Sequence, residues 1–265
     1  MDGQNPPAQT AREPLENEGP GRIILELDFE SEFVGDGIRC LTRVTPEVHV
    51  PATGRLRASV VASLIDVTLG NVAVKEIYPR PAMTTSLDLH LWEPLPSDGE
   101  VEILGRPLRI GRTLIALEAE VRHDGRPLGM ATATFVPPPD PSLVVEQAAP
   151  MGTPELELSM ALVDRAGIEV VAPGHAVLPD QHGVRNGGGV YFGGLLALVA
   201  EEAATSLTPG EDLSTLTVRY LQAVHLGPAV ARAQVHDGVG RVEVRDAGRD
   251  NRLAALAVTR TFGAR

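Results

Sequence analysis

The alternation of apolar and polar positions first becomes regular at Ile23-Ile24-Leu25-Glu26-Leu27-Asp28-Phe29, a run that reads as a strand. Residues 1–22 are mostly Pro, Gly, Glu and Gln with hardly an apolar side chain, so they read as a disordered tail. Two stretches, Ser59 to about Leu69 and Gly193 to about Ser206, are rich in Ala, Leu and Val on nearly all sides. A helix apolar all round belongs in a core, and both are expected to be deeply buried. Period-two stretches follow each of them, such as Thr113 to Arg122 and Arg241 to Arg245, with turn signals at His123-Asp124-Gly125 and Asp246-Ala247-Gly248. An amphipathic segment from Pro154 to Arg165 reads as a further helix, stopped at Ala166-Gly167. Between the halves, Val136-Pro137-Pro138-Pro139-Asp140-Pro141 can neither donate to a sheet ladder nor continue a helix. Residues 137–153 are therefore a linker, separating a unit at 23–136 from another at 154–265.

The two units repeat one another. Gly54-Arg55-Leu56-Arg57-Ala58-Ser59-Val60-Val61-Ala62-Ser63-Leu64-Ile65-Asp66 aligns without a gap on Gly189-Val190-Tyr191-Phe192-Gly193-Gly194-Leu195-Leu196-Ala197-Leu198-Val199-Ala200-Glu201. In both, a glycine is followed by an apolar helical run and, twelve residues on, by a carboxylate. Leu87 to Trp92 then matches Leu216 to Leu221, the Gly111-Arg112 turn matches Gly240-Arg241, and Thr132 to Phe135 matches Thr259 to Phe262. Repetition at this spacing predicts two copies of one α+β unit, a buried helix wrapped by an antiparallel sheet, with the sheets joined edge to edge.

Composition narrows the field. Hydrophobic residues are 43% and charged residues 22% of 265 positions, the balance of a globular protein. A net charge of −12 argues against nucleic acid or an anionic membrane as partner. No uninterrupted apolar run comes near the ~18 residues of a membrane span, and the polar N-terminus is unlike a signal peptide, so a cytoplasmic location is expected. The lone Cys40 can form no internal disulfide, and the seven histidines lack the paired spacing of a metal site. No Lys-Ser or Lys-Thr follows the glycines as a phosphate loop requires, and there is no Gly-x-Ser-x-Gly elbow.

The segment from Gly167-Ile168-Glu169-Val170-Val171 and Pro173-Gly174-His175-Ala176 to Asn186-Gly187-Gly188-Gly189-Val190-Tyr191-Phe192-Gly193-Gly194, ending at Glu201, resembles the hotdog-fold acyl-CoA thioesterases of the phenylacetate type. Residues 158 to 262 carry the resemblance well, and 23 to 136 match through Gly54, the buried helix and Asp66. As a whole the chain resembles a double hotdog, two fused units standing in for the usual homodimer. That resemblance implies hydrolysis of an acyl-CoA to free acid and CoA at a site shared between units. It implies no metal and no redox cofactor, coenzyme A entering only as part of the substrate, and a homodimer of double-hotdog chains.

The resemblance also implies roles. Gly193, at the start of its helix, would present an amide to the thioester oxygen, Asn186 would hold the thioester or the attacking water, and Asp66 would act across the interface as base or nucleophile. Thr84 or Thr85 would orient the water, although both are most simply strand residues. Phe192 stands where the pattern has a histidine, which removes a hydrogen-bonding group and, with an aromatic content of 3%, favours an aliphatic acyl chain. The mirrored site would combine Glu201 with Pro51, Arg57 and Ala58 in place of Asn, His and Gly, and so reads as degenerate. Two rivals follow. One is a non-catalytic acyl-CoA binding protein. The other, an enoyl-CoA hydratase, lacks the Asp-x-Asn-x-x-His segment that such hotdog enzymes carry.

Overall fold

The computed structural model describes residues 22–145, 158–264. The expected tail falls almost wholly outside the described residues, as do the end of the linker and the start of the Pro154–Arg165 segment. The elements of the first half are β1 (Phe29–Val34), β2 (Gly37–Arg43), the short pair β3 (His49–Val50) and β4 (Arg55–Leu56), then α1 (Ala58–Ile77). Next come β5 (Met83–Leu91), β6 (Glu100–Ile110), β7 (Ile115–His123) and β8 (Arg126–Val136). The second half has α2 (Leu162–Arg165), β9 (Glu169–Ala172), β10 (His175–Leu178), α3 (Gly193–Thr205), β11 (Leu213–Tyr220), β12 (Ala229–His236), β13 (Val239–Asp246) and β14 (Arg252–Thr261).

Twelve strands form one antiparallel sheet in the order β1-β2-β6-β7-β8-β5-β11-β14-β13-β12-β10-β9. The halves meet at β5 and β11, where Leu87 lies opposite Val218 and Leu89 opposite Leu216. All four side chains are buried, and the strands alternate as a half-buried sheet requires. On β7, for example, Ile115, Leu117, Ala119 and Val121 face inward while Glu118 and Glu120 face out. The inner face packs on α1 in the first half and on α3 in the second, and the two helices also touch each other.

α1 is 20 residues long, well past the expected end near Leu69, because nothing in Gly70-Asn71-Val72-Ala73 stops a helix that is still burying Val72 and Ala73. It ends at Tyr78 before Pro79, where a proline cannot continue the turn. By length and composition this helix would suffice to cross a membrane, although Asp66, Asn71, Lys75 and Glu76 interrupt its apolar run; 72% of that stretch is buried inside the protein.

Three further expectations need correction. Ile23–Glu26 is a 3₁₀ turn rather than a strand, because the consecutive Ile23 and Ile24 are both buried, as is Leu27. Glu26 in that turn accepts two bonds from Arg165, at 2.5 and 2.7 Å. The Pro154–Arg165 segment is helical among its described residues only at Leu162–Arg165, and it stops as expected at Gly167 with φ +63. Gly240-Arg241 lies inside β13, not in a turn. The β12–β13 hairpin turns at Asp237 and Gly238, which supply the positive φ of 48 and 74 that such a tight turn needs.

Candidate functional site

Asp66 is the one acidic residue within the apolar body of α1. It follows the fully buried Leu64 and Ile65 and is only 9% exposed. Its Oδ1 accepts the Thr84 hydroxyl at 2.5 Å. The register of β5 shifts between Thr84 and Ser86, so Thr84 and Thr85 both reach the same cavity instead of alternating away from it. Thr85 spends its hydroxyl on Thr134, 3.1 Å from the carbonyl oxygen and 2.8 Å from Oγ1. Burial pushes the Asp66 carboxyl up to about 6, against the smaller pull of the Thr84 hydroxyl.

Opposite Asp66 is the first turn of α3. The N–H groups of Gly193 and Gly194 have no hydrogen-bond partner among the described residues, so the positive end of the helix is open. Both glycines are there for close approach. A Cβ on Gly193 would lie 3.2 Å from the Tyr220 ring and 3.4 Å from Asp66 Oδ2, and one on Gly194 would strike the Ser63 hydroxyl. Tyr220, the last residue of β11, donates its hydroxyl to the Gly193 carbonyl at 3.2 Å. Burial, and then the Asp66 charge, push that phenol well above its ordinary range.

Asn186 sits in the glycine loop before α3. Its Oδ1 accepts the N–H groups of Gly188 at 2.9 Å and Val190 at 3.4 Å, which closes the loop. The amide NH₂ is left without a partner among the described residues.

These residues are brought together. Asp66, Thr84, Thr85, Asn186 and Gly193 all line one cavity of about 500 Å³. Val67, Gly70, Val74, Met83, Phe135 and Leu196 supply much of its apolar wall, and Phe192 lies among them where the thioesterase pattern has histidine. Sequence reading did not single out several lining residues, Tyr220 and Asn71 among them. Tyr220 shares the inward phase of Leu216 and Val218, and Asn71 is the only side-chain amide in α1. Both signals were legible. Among the described residues, no group of three or more His, Cys, Asp or Glu side chains is placed to hold a metal ion.

The mirrored set has a different outcome. Glu201 is 1% exposed, and its carboxylate reaches back from α3 to the start of α1. Oε1 accepts the Ala58 N–H at 3.0 Å and Oε2 accepts the Ser59 hydroxyl at 2.5 Å. Arg57, 2% exposed, lies 3.6 Å from Glu201 Oε2 and donates a short bond to Glu202. Burial pushes the Glu201 carboxyl up, and Arg57 and then Ser59 pull it back. Pro51 is exposed in the turn between β3 and β4.

No family model matches the chain, and no curated protein is detectably similar to it in sequence. Solved structures do resemble it. The 12:0-ACP thioesterase from Umbellularia californica superposes with a TM-score of 0.63 at 12% identity, over 87% of this chain and 98% of that one. An acyl-ACP thioesterase from Bacteroides thetaiotaomicron gives a TM-score of 0.57 at 14% identity, over 88% and 97%. The tesB protein of Mycobacterium avium subs paratuberculosis gives 0.55 at 16%, over 90% and 96%. The chain shares the hotdog fold of these structures. In this hotdog chain the long antiparallel sheet carries the buried helix α1, and the cavity lies beside it.

Proposed function

We propose that the protein hydrolyses an acyl-CoA thioester at a composite site made by two hotdog units, 23–136 and 154–265, joined by the linker 137–153. The strand order of one half, β1-β2-β6-β7-β8-β5, is matched in reverse by β9-β10-β12-β13-β14-β11, which supports the reading of two fused copies. The observation that carries the functional reading is the open first turn of α3 set against the buried Asp66 of α1.

In the proposed reaction the thioester oxygen lies at the Gly193 N–H, where the helix end stabilises the developing negative charge. Asp66 takes a proton from water, which Thr84 helps to orient, and the water oxygen bonds to the acyl carbon. The tetrahedral species then collapses, the C–S bond breaks, and the proton on Asp66 passes to the departing CoA sulfur. A carboxylate whose proton affinity is raised to about 6 is a better base than an ordinary aspartate and is still largely ionised near neutral pH. Asn186 has an amide NH₂ free to hold the thioester or the water. The chain's own groups perform every step. We further read the protein as cytoplasmic and as a homodimer of such chains; Leu108, Met130 and Val258 are among its exposed apolar side chains.

The test is incubation with a panel of acyl-CoAs and a thiol reagent. Release of free CoA that depends on Asp66 is the expected result. Tight binding without release would instead favour an acyl-CoA carrier, the role that Phe192 in place of histidine would suit.

A further inference from the structure

Past Asp66, α1 turns one face to the cavity. Thr68, Leu69, Val72 and Ala73 are buried in the core, whereas Val67, Gly70, Asn71 and Val74, at the spacing of a single helix face, are only part-buried and line the cavity. α1 and α3 start at aligned positions, Ala58 and Gly193, yet α1 runs for 20 residues and α3 for 13, so that α3 stops where Gly70 stands. Gly70 is the unexpected member of the face, since glycine weakens a helix more than any residue but proline. Elsewhere the need for a glycine is visible: a Cβ on Gly105 would lie 2.5 Å from Leu69 Cδ2. Gly70 is helical, and a Cβ there would meet only Phe135 Cε1, at an ordinary contact of 3.7 Å. Neither backbone nor packing excludes alanine. What the missing side chain leaves is room in the cavity wall.

We propose that this face of α1 is the acyl groove, that Gly70 sets its width, and that the preferred substrate carries an aliphatic acyl chain of about eight to ten carbons. This rests on the hydrolase reading above and names the acyl class for that same site. Val67, Val74, Ala82, Met83 and Phe135 offer the chain apolar contact alone. Arg22, Asn186 and Gln222 line the same cavity and supply the polar side that suits the CoA arm. From Asp66 to Val74, the last residue of α1 to line the cavity, the helix advances about 12 Å at about 1.5 Å per residue. A zigzag of C–C bonds of about 1.5 Å advances about 1.25 Å per carbon, so about eight to ten carbons fill that length.

The test measures kcat/KM for a series of acyl-CoAs from butyryl to palmitoyl with the wild type, Gly70→Ala and Gly70→Leu, each checked for folding by its melting temperature. The wild type is expected to peak at about eight to ten carbons and to favour decanoyl-CoA over butyryl-CoA by at least about a hundredfold, because each buried methylene is worth up to about fourfold. Gly70→Ala should melt higher, as a helix gains from alanine, and yet lower the decanoyl-to-butyryl ratio by about threefold, which a purely structural glycine would not do. Gly70→Leu should lower that ratio by at least about thirtyfold and move the peak to shorter chains, because the added side chain fills the groove. A wild-type peak at butyryl- or palmitoyl-CoA overturns the proposal, and so does a ratio that both folded variants leave unchanged. Should Gly70→Leu fail to fold, the ratio in Gly70→Ala decides alone. If no ester releases CoA, it is the hydrolase reading that fails, and the shift in melting temperature caused by each ester then replaces kcat/KM. Shifts that grow up to decanoyl-CoA and shrink for the longer esters in the Gly70 variants uphold the groove; shifts that ignore chain length, or none, overturn it.

Discussion

The starts of α1 and α3 pose one physical problem, and the protein resolves it in two ways. Each is a first turn with unpaired N–H groups, and each faces a carboxylate from the other helix. At α1 the carboxylate is Glu201, which bonds the Ala58 N–H itself at 3.0 Å. Ser59 and Arg57 complete the seal, so the helix end is capped and dry. At α3 the carboxylate is Asp66, one methylene shorter, and no bond joins it to the Gly193 N–H. Glycines replace the larger residues of the sealed end, and acid and amide both line a cavity of about 500 Å³. A helix terminus plus an acid is thus a structural cap when the acid reaches the amide, and a candidate reaction centre when it stops short. The difference lies in one CH₂ and in what flanks it.

The strongest test sets the two acids against each other. Asp66→Asn should lower acyl-CoA turnover by at least a hundredfold, the usual worth of a positioned base, whereas Glu201→Gln should leave turnover within a few-fold. Stability should move the opposite way. A carboxyl raised from 3.8 to about 6 by folding favours the protonated form. It therefore withdraws stability as pH climbs between those values, up to about 3 kcal/mol above pH 6. Asp66→Asn should recover much of that at pH 7 and nothing below about pH 4. Glu201→Gln should instead lose about 1–3 kcal/mol by weakening buried bonds to Ala58, Ser59 and Arg57. Urea unfolding of both variants reads these signs, and matching signs would break the contrast.

Asp66→Glu sharpens the comparison further. The longer side chain should reach the Gly193 N–H as Glu201 reaches Ala58, occupying the position proposed for the thioester oxygen. Turnover should fall on the order of a hundredfold although the carboxylate is retained, comparable to losing an oxyanion donor. Retention of more than a tenth of wild-type turnover would show that reach is not what separates the two ends. In the wild type, kcat/KM should fall tenfold per pH unit below about 6, as Asp66 takes up the proton it must be free to accept. A profile flat to pH 5 would remove Asp66 from the base role.

Much of this was legible in the chain. Two all-apolar helices, the carboxylate twelve residues after each glycine, and the proline break marked the plan, and the residues singled out for the open end line one cavity. What failed did so where local pattern competes with packing. Ile23 and Ile24 read as a strand by alternation but form a turn, because both side chains are buried while Glu26 stays in reach of Arg165. Gly240 looked like a turn glycine, yet Asp237 and Gly238 take the left-handed conformations and Gly240 lies in the ladder. The capping by Glu201 was not foreseen at all. Sequence gave its spacing, but only the packing of α1 on α3 decides whether a carboxylate touches an amide.

The smallest expected effect concerns Tyr220, which has no counterpart at the sealed end; Leu91, the matching last residue of β5, carries no hydrogen-bonding group. The Tyr220 hydroxyl donates to the Gly193 carbonyl, and the ring lies against the Gly193 Cα. It can therefore hold the first turn of α3 in the orientation that aims the Gly193 N–H into the cavity. Tyr220→Phe keeps the ring and deletes one neutral hydrogen bond, about 1 kcal/mol, or roughly fivefold in rate. If Tyr220 acts only by positioning the turn, the loss falls on kcat, KM is unchanged, and the pH profile keeps its limb near 6. Tyr220→Leu, which also removes the ring, should lose more and be rescued in part by Phe. A limb that moves in Tyr220→Phe would mean that the phenol exchanges its influence directly with Asp66, and the open end would then depend on three groups rather than on one acid and one amide.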